Sequence, residues 1–229
     1  MRRVRDPTAP AAGPSTPREW SPEPRWPALI AVLAVGGLYL ALPAGLTMGP
    51  RTLFPTMVGG FLVATVILHR TEQHRLERIL GFAVGALLTT QMIVSLMLLI
   101  GALPSHREPP ARLLLSASAL WTTNILVFAL WYWRLDAGGP HGRDSRRAHT
   151  AGAFLFPQMT IVTSATPAGP RSWSPNFFDY LFLAFNASTA FSPTDTPVLA
   201  RWGKVLMMVQ SIVSLTVLAV LAARAVNIL

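Results

Sequence analysis

The chain has 229 residues, of which 52% are hydrophobic and only 13% charged, and its formal net charge is +9. That balance, with a mean hydropathy of +0.44, falls in the membrane class rather than the soluble globular one. There is no cysteine, which excludes a disulfide framework and thiolate chemistry, and five histidines leave little material for a metal site.

Lys204 is the single lysine among 19 basic residues. The arginines gather in the segments between apolar runs, so the charge reads as a positive-inside bias and not as a nucleic-acid footprint. No nucleic-acid partner is expected. The bias toward Arg, Ala and Pro also fits a GC-rich bacterial coding sequence.

Residues 1–27 are polar and hold Pro7, Pro10, Pro14, Pro17, Pro22, Pro24 and Pro27. Such a segment cannot bury enough apolar surface to offset its ordering entropy, so a disordered Pro/Arg-rich tail is expected. No apolar stretch directly follows the first arginines, so a signal peptide is not expected.

Apolar runs follow at Ala28–Thr47, Leu53–Leu68, Ile79–Leu103 and Leu113–Trp133, and a last one begins at Trp202. Crossing a core of about 30 Å takes roughly 20 apolar residues. Spans are therefore expected near 28–47, 53–69, 79–103, 113–133 and 202–226. The fourth run closes on Trp131, Tyr132, Trp133 and Arg134, an interfacial aromatic belt with a snorkelling arginine. Ala148–Pro170 is read as a surface loop whose Phe154-Leu155-Phe156 patch dips into the interface. Pro157 and its polar neighbours would need internal partners at mid-depth.

Counting arginines between the runs gives rich, poor, rich, poorer, rich, which puts the N-terminus in the cytoplasm. Four spans then return the chain to the cytoplasm before Asn176. The segment at 177–191 has an apolar length of about 22 Å as a helix. Its fate decides the topology. The preferred reading is a short fifth span in a six-helix bundle; the other is a re-entrant loop, entered from outside if Ala148–Pro170 crosses as a weak span. The fold class is an all-α integral membrane protein of about five to six transmembrane helices over residues 28–229, with a pore-helix-like segment before the last helix.

The stretch FFDYLFLAFNASTAFSPTDTPVLARWGKVLMMVQSIVSL resembles the pore module of two-helix ion channels. In that resemblance Asp179 and Tyr180 match the pore helix. Thr189 and Ala190 match the approach to the filter, Asp195 its closing acid, and Gly203-Lys204 the start of the inner helix. Where the channels carry Gly-Tyr-Gly, this chain has Phe191-Ser192-Pro193-Thr194. Filter carbonyls use positive φ, which Pro193 cannot adopt at its own position, so the potassium-filter geometry is excluded there. The strings FLFPQM, TAFSPTDT and ARAVNIL are similar to uncharacterised bacterial multi-span membrane proteins with a channel-like C-terminal part. The resemblance implies a bacterial inner-membrane, multi-pass protein, a homo-oligomer around an axis, and passage of a monovalent cation.

The candidate filter-like residues are Ser188, Thr189, Ala190, Phe191, Ser192, Pro193, Thr194 and Asp195. The competing structural reading makes Ser-Pro-Thr-Asp an interfacial turn, with Thr194 or Asp195 capping the next element. Thr89, Thr90 and Gln91, with Ser116, Ser118, Thr122, Thr123 and Asn124, read as interhelical glue before they read as a polar pathway, as do Gln210, Ser211 and Ser214. Gly45-x-x-x-Gly49, Gly59-Gly60 and Gly81-x-x-x-Gly85 suggest close helix packing. His69, Glu72 and His74 lack the HExxH spacing, and no nucleophile elbow, P-loop or dinucleotide fingerprint is present. An enzyme is not expected, nor a cofactor or metal. The leading function is a channel-like or transport-related membrane protein with a degenerate filter. The alternative is a non-conducting structural or accessory membrane protein.

Overall fold

The computed structural model describes residues 23–47, 49–71, 73–102, 109–145, 152–160, 173–190 and 195–226. They form α1 (Trp26–Ala41), α2 (Leu53–Arg70), α3 (His74–Ala102), α4 (Pro110–Leu135), α5 (Gly139–Asp144), α6 (Pro157–Thr160), α7 (Phe177–Thr189) and α8 (Arg201–Val226). Three of these, α3, α4 and α8, are long and apolar enough to cross a membrane; α1 and α2 are apolar but shorter. The end of the bundle that carries Glu23 and Trp26 is called proximal below, the other distal.

The first helix is shorter than its apolar run. It stops at Ala41, and Leu42 is extended with ψ 144°. Pro43 is the cause, since the residue before proline is pushed out of the helical region. A 3-10 turn at Ala44–Leu46 follows. Arg51, the one arginine of this distal link, bonds the Leu40 and Leu42 carbonyls at 3.1 and 2.8 Å and so closes the C-terminus of α1.

Helices α1 to α4 pack as an up-and-down bundle, with α4 touching α1, α3, α7 and α8. The apolar window of α4 is 67% buried, against 33% for α3 and 22% for α8, so α4 is the central helix. Most hydroxyls of α3 and α4 bond their own helix. Ser116, Ser118, Thr122 and Thr123 all donate to carbonyls four residues back. Thr89 accepts the Trp131 indole at 2.8 Å and is the one of these residues that joins α3 to α4.

The glycine pairs divide. A Cβ at Gly45, Gly59 or Gly60 would meet nothing within 4 Å, and one at Gly49 only a Leu53 methyl, so these do not mark close packing. A Cβ at Gly81 would lie 1.1 Å from an Arg134 guanidinium nitrogen, and one at Gly85 3.1 Å from the Trp131 ring. Gly81 and Gly85 thus form a notch on α3 that takes two large side chains from α4, rather than a backbone-to-backbone seam.

The proximal corner is polar. Helix α4 ends in a reversal through Ala137 (φ 50°), Gly138 (φ 81°) and Gly139 (φ 81°), a run that the two glycines make accessible. The reversal brings Arg143 back under α4. Its guanidinium donates to the Trp133 and Asp136 carbonyls at 2.8 and 3.0 Å, and to Glu23 at 2.8 and 3.1 Å. Glu23 also accepts the Trp133 indole at 2.5 Å. Burial holds the Glu23 carboxyl above its usual range in spite of the Arg143 charge. Arg25 pairs with Glu77 of α3 and lies 3.7 Å from Asp144. The residues just before α1 are therefore docked on α3, α4 and α5, where the sequence suggested a free tail; residues 1–22 lie outside the described residues.

A second correction concerns Phe154 and Phe156. Both are buried inside the protein, not at a lipid interface. Phe154 packs on Tyr132, Tyr180 and Trp202 with ring centroids 5.3, 6.2 and 5.9 Å away. Main-chain bonds explain the burial: Leu155 N–H donates to the Pro197 carbonyl and Leu199 N–H to the Ala153 carbonyl, at 2.9 and 2.7 Å.

Arg143→Ala should lower the unfolding free energy by about 3–5 kcal/mol, as breaking a buried ion pair does. Arg143→Lys should recover little of it, because one ammonium cannot reproduce the fork. Chemical denaturation of the purified full chain measures both.

Candidate functional site

Helix α7 starts with a capping box. The Asn176 side chain accepts the Phe178 N–H at 2.9 Å and Asp179 accepts the Asn176 N–H at 2.8 Å. Asp179, which matches a pore-helix acid, is thus the N-terminal cap partner. Tyr180, the other match, is fully buried and donates to Asp136 at 2.6 Å.

The direction of α7 decides the topology of this region. Phe177 lies beside Trp133 and Phe185 beside Trp121, so α7 runs antiparallel to α4. Gln210 faces Asn124 and Ser214 faces Trp121, so α8 does the same. Between the two, Ala184 pairs with Gln210, Ala187 with Ser211 and Ser188 with Ser214. Helices α7 and α8 therefore run in the same direction. Two successive spans joined by a short link would be antiparallel, an arrangement these two helices do not have. The 13 residues of α7 reach about 20 Å at 1.5 Å per residue. The Pro197–Leu199 stretch is then back beside Phe154 at the proximal end, where α8 begins.

A helix that ends inside a bundle leaves its last carbonyls without partners. Here α8 supplies partners for two of them, Ala187 and Ser188, and adds a bond to Ala184 one turn earlier. Gln210 Nε2 donates to the Ala184 carbonyl at 2.7 Å, Ser211 Oγ to Ala187 at 3.2 Å, and Ser214 Oγ to Ser188 at 2.8 Å. Around these bonds a closed polar cluster forms. Ser188 Oγ accepts Gln210 Nε2 at 2.8 Å, and Tyr132 donates to Gln210 Oε1 at 2.5 Å. Asn124 Nδ2 donates to the Gln210 carbonyl at 3.2 Å, and Trp121 to Ser214 Oγ at 3.0 Å. Tyr132, Asn124, Ser188, Gln210 and Ser214 are all fully buried. Asn124 Oδ1 has no partner among the described residues.

The filter-like residues separate. Ser188 belongs to the buried cluster and lines no open path. Thr189 and Ala190 are exposed at the end of α7, with Thr189 Oγ1 donating to the Phe185 carbonyl at 2.9 Å. Phe191, Ser192, Pro193 and Thr194 lie outside the described residues. Asp195 is exposed at the proximal end, six positions before α8, and does not cap it. Gly203 is a packing residue: a Cβ there would lie 2.9 Å from Val198 and 3.6 Å from the Phe154 ring. Lys204 is exposed. Among the described residues, no three His, Cys, Asp or Glu side chains are placed to hold a metal.

Sequence reasoning placed Gln210, Ser211, Ser214 and Asn124 as glue without seeing what they hold. It missed the capping box, whose signal is Asn176-Phe-Phe-Asp179. No family model, curated protein or solved structure matches this chain.

Gln210→Leu leaves the buried Tyr132 hydroxyl without a partner and removes the bonds to the Ala184 carbonyl and Ser188 Oγ, and should cost about 2 kcal/mol. Ser211→Ala removes one bond and should cost about 0.6 kcal/mol. Thermal unfolding of both variants in one detergent checks the contrast.

Proposed function

We propose that this chain is an integral membrane protein of the pore-loop kind, in which α7 is a re-entrant half-helix and α1, α2, α3, α4 and α8 cross. The observation that carries the reading is the parallel run of α7 and α8 with a return to the proximal end between them. A half-helix, a turn back and a crossing helix from the same side make up the pore module that the sequence resembles. Apolar stripes support the membrane setting. Phe178, Phe182 and Phe185 on α7, and Val205, Met208, Ile212 and Leu215 on α8, are exposed. Contiguous apolar faces of that kind are unfavourable in water.

Arg70, Arg75, Arg78, Arg134 and Arg143 belong to the proximal end, Arg51 and Arg112 to the distal one. By the positive-inside rule the proximal end is cytoplasmic, in a bacterial inner membrane as the sequence resemblance implies. The half-helix then opens toward the cytoplasm. Its C-terminal end carries the negative pole of the helix dipole into the bundle, which favours a cation there. Asp195 places an acid at the mouth. One copy encloses no path, so several chains must surround an axis.

The closed cluster of Ser188, Gln210 and Asn124 favours a second reading, a non-conducting accessory protein that keeps the pore-loop fold.

Two measurements follow. The chain has no native cysteine, so single cysteines report location without background. Asp195→Cys should react with a membrane-impermeant thiol reagent from the same side as Thr71→Cys and the side opposite Thr47→Cys. Labelling from the Thr47 side would sink the re-entrant reading. In proteoliposomes, Asp195→Asn should lower cation flux several-fold at unchanged protein content. Absent flux in the parent chain would favour the accessory reading.

A further inference from the structure

We propose that Arg134, seated in the Gly81–Gly85 notch, binds the phosphate of an anionic phospholipid at the proximal membrane face. The inference rests on the membrane part of the reading above and not on conduction.

Arg134 ends the last turn of α4. It carries five N–H donors, yet among the described residues it makes no hydrogen bond or ion pair. Its guanidinium lies instead over the face of the Trp133 ring, 5.7 Å from the guanidinium carbon to the centroid. The acid that acts on it, Glu77, is already bonded to Arg25. The guanidinium does not extend into solvent but folds back over α3, where the missing Cβ of Gly81 gives it room. A half-buried charge with idle donors is costly unless an anion completes it.

The surroundings say which anion. Arg78 lies one turn before Gly81 on the same face of α3, exposed, with its guanidinium 5.8 Å from the Phe82 ring centroid. Phe82, Trp131 and Trp133 surround the notch, as aromatic residues do at headgroup level. The cleft that Arg134 closes is lined deeper in by Val32, Val84 and Leu130. It has room for a single oxygen-sized group, not for a whole solute. A ligand here must be anionic at Arg134 and Arg78 and apolar on the bundle side. That is the chemistry of an anionic phospholipid, and basic clefts between helices on the cytoplasmic side suit such headgroups.

The test uses the full chain, purified in detergent and stripped of lipid. Its unfolding temperature is followed on adding phosphatidylglycerol, phosphatidylcholine or water-soluble glycerol phosphate. Phosphatidylglycerol should raise it, with phosphatidylcholine giving a much smaller rise and glycerol phosphate none. Arg134→Gln should abolish the difference between the two lipids, Arg134→Lys should reduce it, and Arg78→Gln should weaken it. Gly81→Ala keeps every charge but displaces the guanidinium, and should act like Arg134→Gln. An undiminished phosphatidylglycerol preference in Arg134→Gln and Gly81→Ala would overturn the site. An equal rise with glycerol phosphate would reassign it to a free phosphate. A chain that stays monodisperse in buffer without detergent would instead remove the membrane reading beneath it.

Discussion

The C-terminal end of α7 is the constraint around which the rest of the fold is arranged. A helix of this length stops short of the far end of α4, and its final carbonyls need donors from outside the helix. Ser211 and Ser214 of α8 meet that need at Ala187 and Ser188, and Gln210 adds a bond to Ala184 one turn earlier. The three lie at i, i+1 and i+4, so they can serve Ala184, Ala187 and Ser188 in that order only if α8 runs beside α7 in the same sense. The parallel packing, the return of the chain to the proximal end and the start of α8 beside Phe154 all follow from that match. Tyr132, Asn124 and Trp121 then fix α4 against the pair.

The proximal corner is the other fixed point. Arg143 ties the end of α4 to the chain before α1 through Glu23, and Arg25 carries the tie on to α3. Asp136 joins the same corner to α7 through Tyr180 and to the Ala153 N–H. Buried charges of this kind add little net stability over an apolar core, but removing one partner is costly. Their effect is on geometry: they set where α7 enters the bundle, and so how deep its C-terminal end lies.

Much of the fold was legible in the sequence because apolar length is a strong signal. Helices α2, α3, α4 and α8 lie close to their runs, and α1 falls short only where Pro43 acts. What length cannot report is direction. Residues 177–191 are as apolar as a short span, and only the tertiary pairing of Ala184, Ala187 and Ser188 with α8 shows that the two helices run in the same direction. The same holds for side-chain roles. Gly81 and Gly85 have the spacing of a helix seam, but their partners are Arg134 and Trp131, which no local pattern names. Phe154 and Phe156 look interfacial as a string; main-chain bonds to Pro197 and Leu199 draw them inside. At the candidate site, the resemblance singled out Ser188 through Asp195 as one run. The structure divides it into a buried serine, an exposed helix end and an acid at the other end of the bundle.

The pairing of α7 with α8 also imposes an order on biosynthesis. A chain is laid down from its N-terminus, so α7 leaves the ribosome before Gln210, Ser211 and Ser214 exist. Until they arrive, the carbonyls of Ala187 and Ser188 at the end of α7 lack those donors. Helix α7 can meet α4 first through Tyr180 and Phe177, but its C-terminal end is completed only when α8 joins it. Helices α1 to α4 also pack on one another, so they can assemble first and present α4 as the surface on which the last two helices dock.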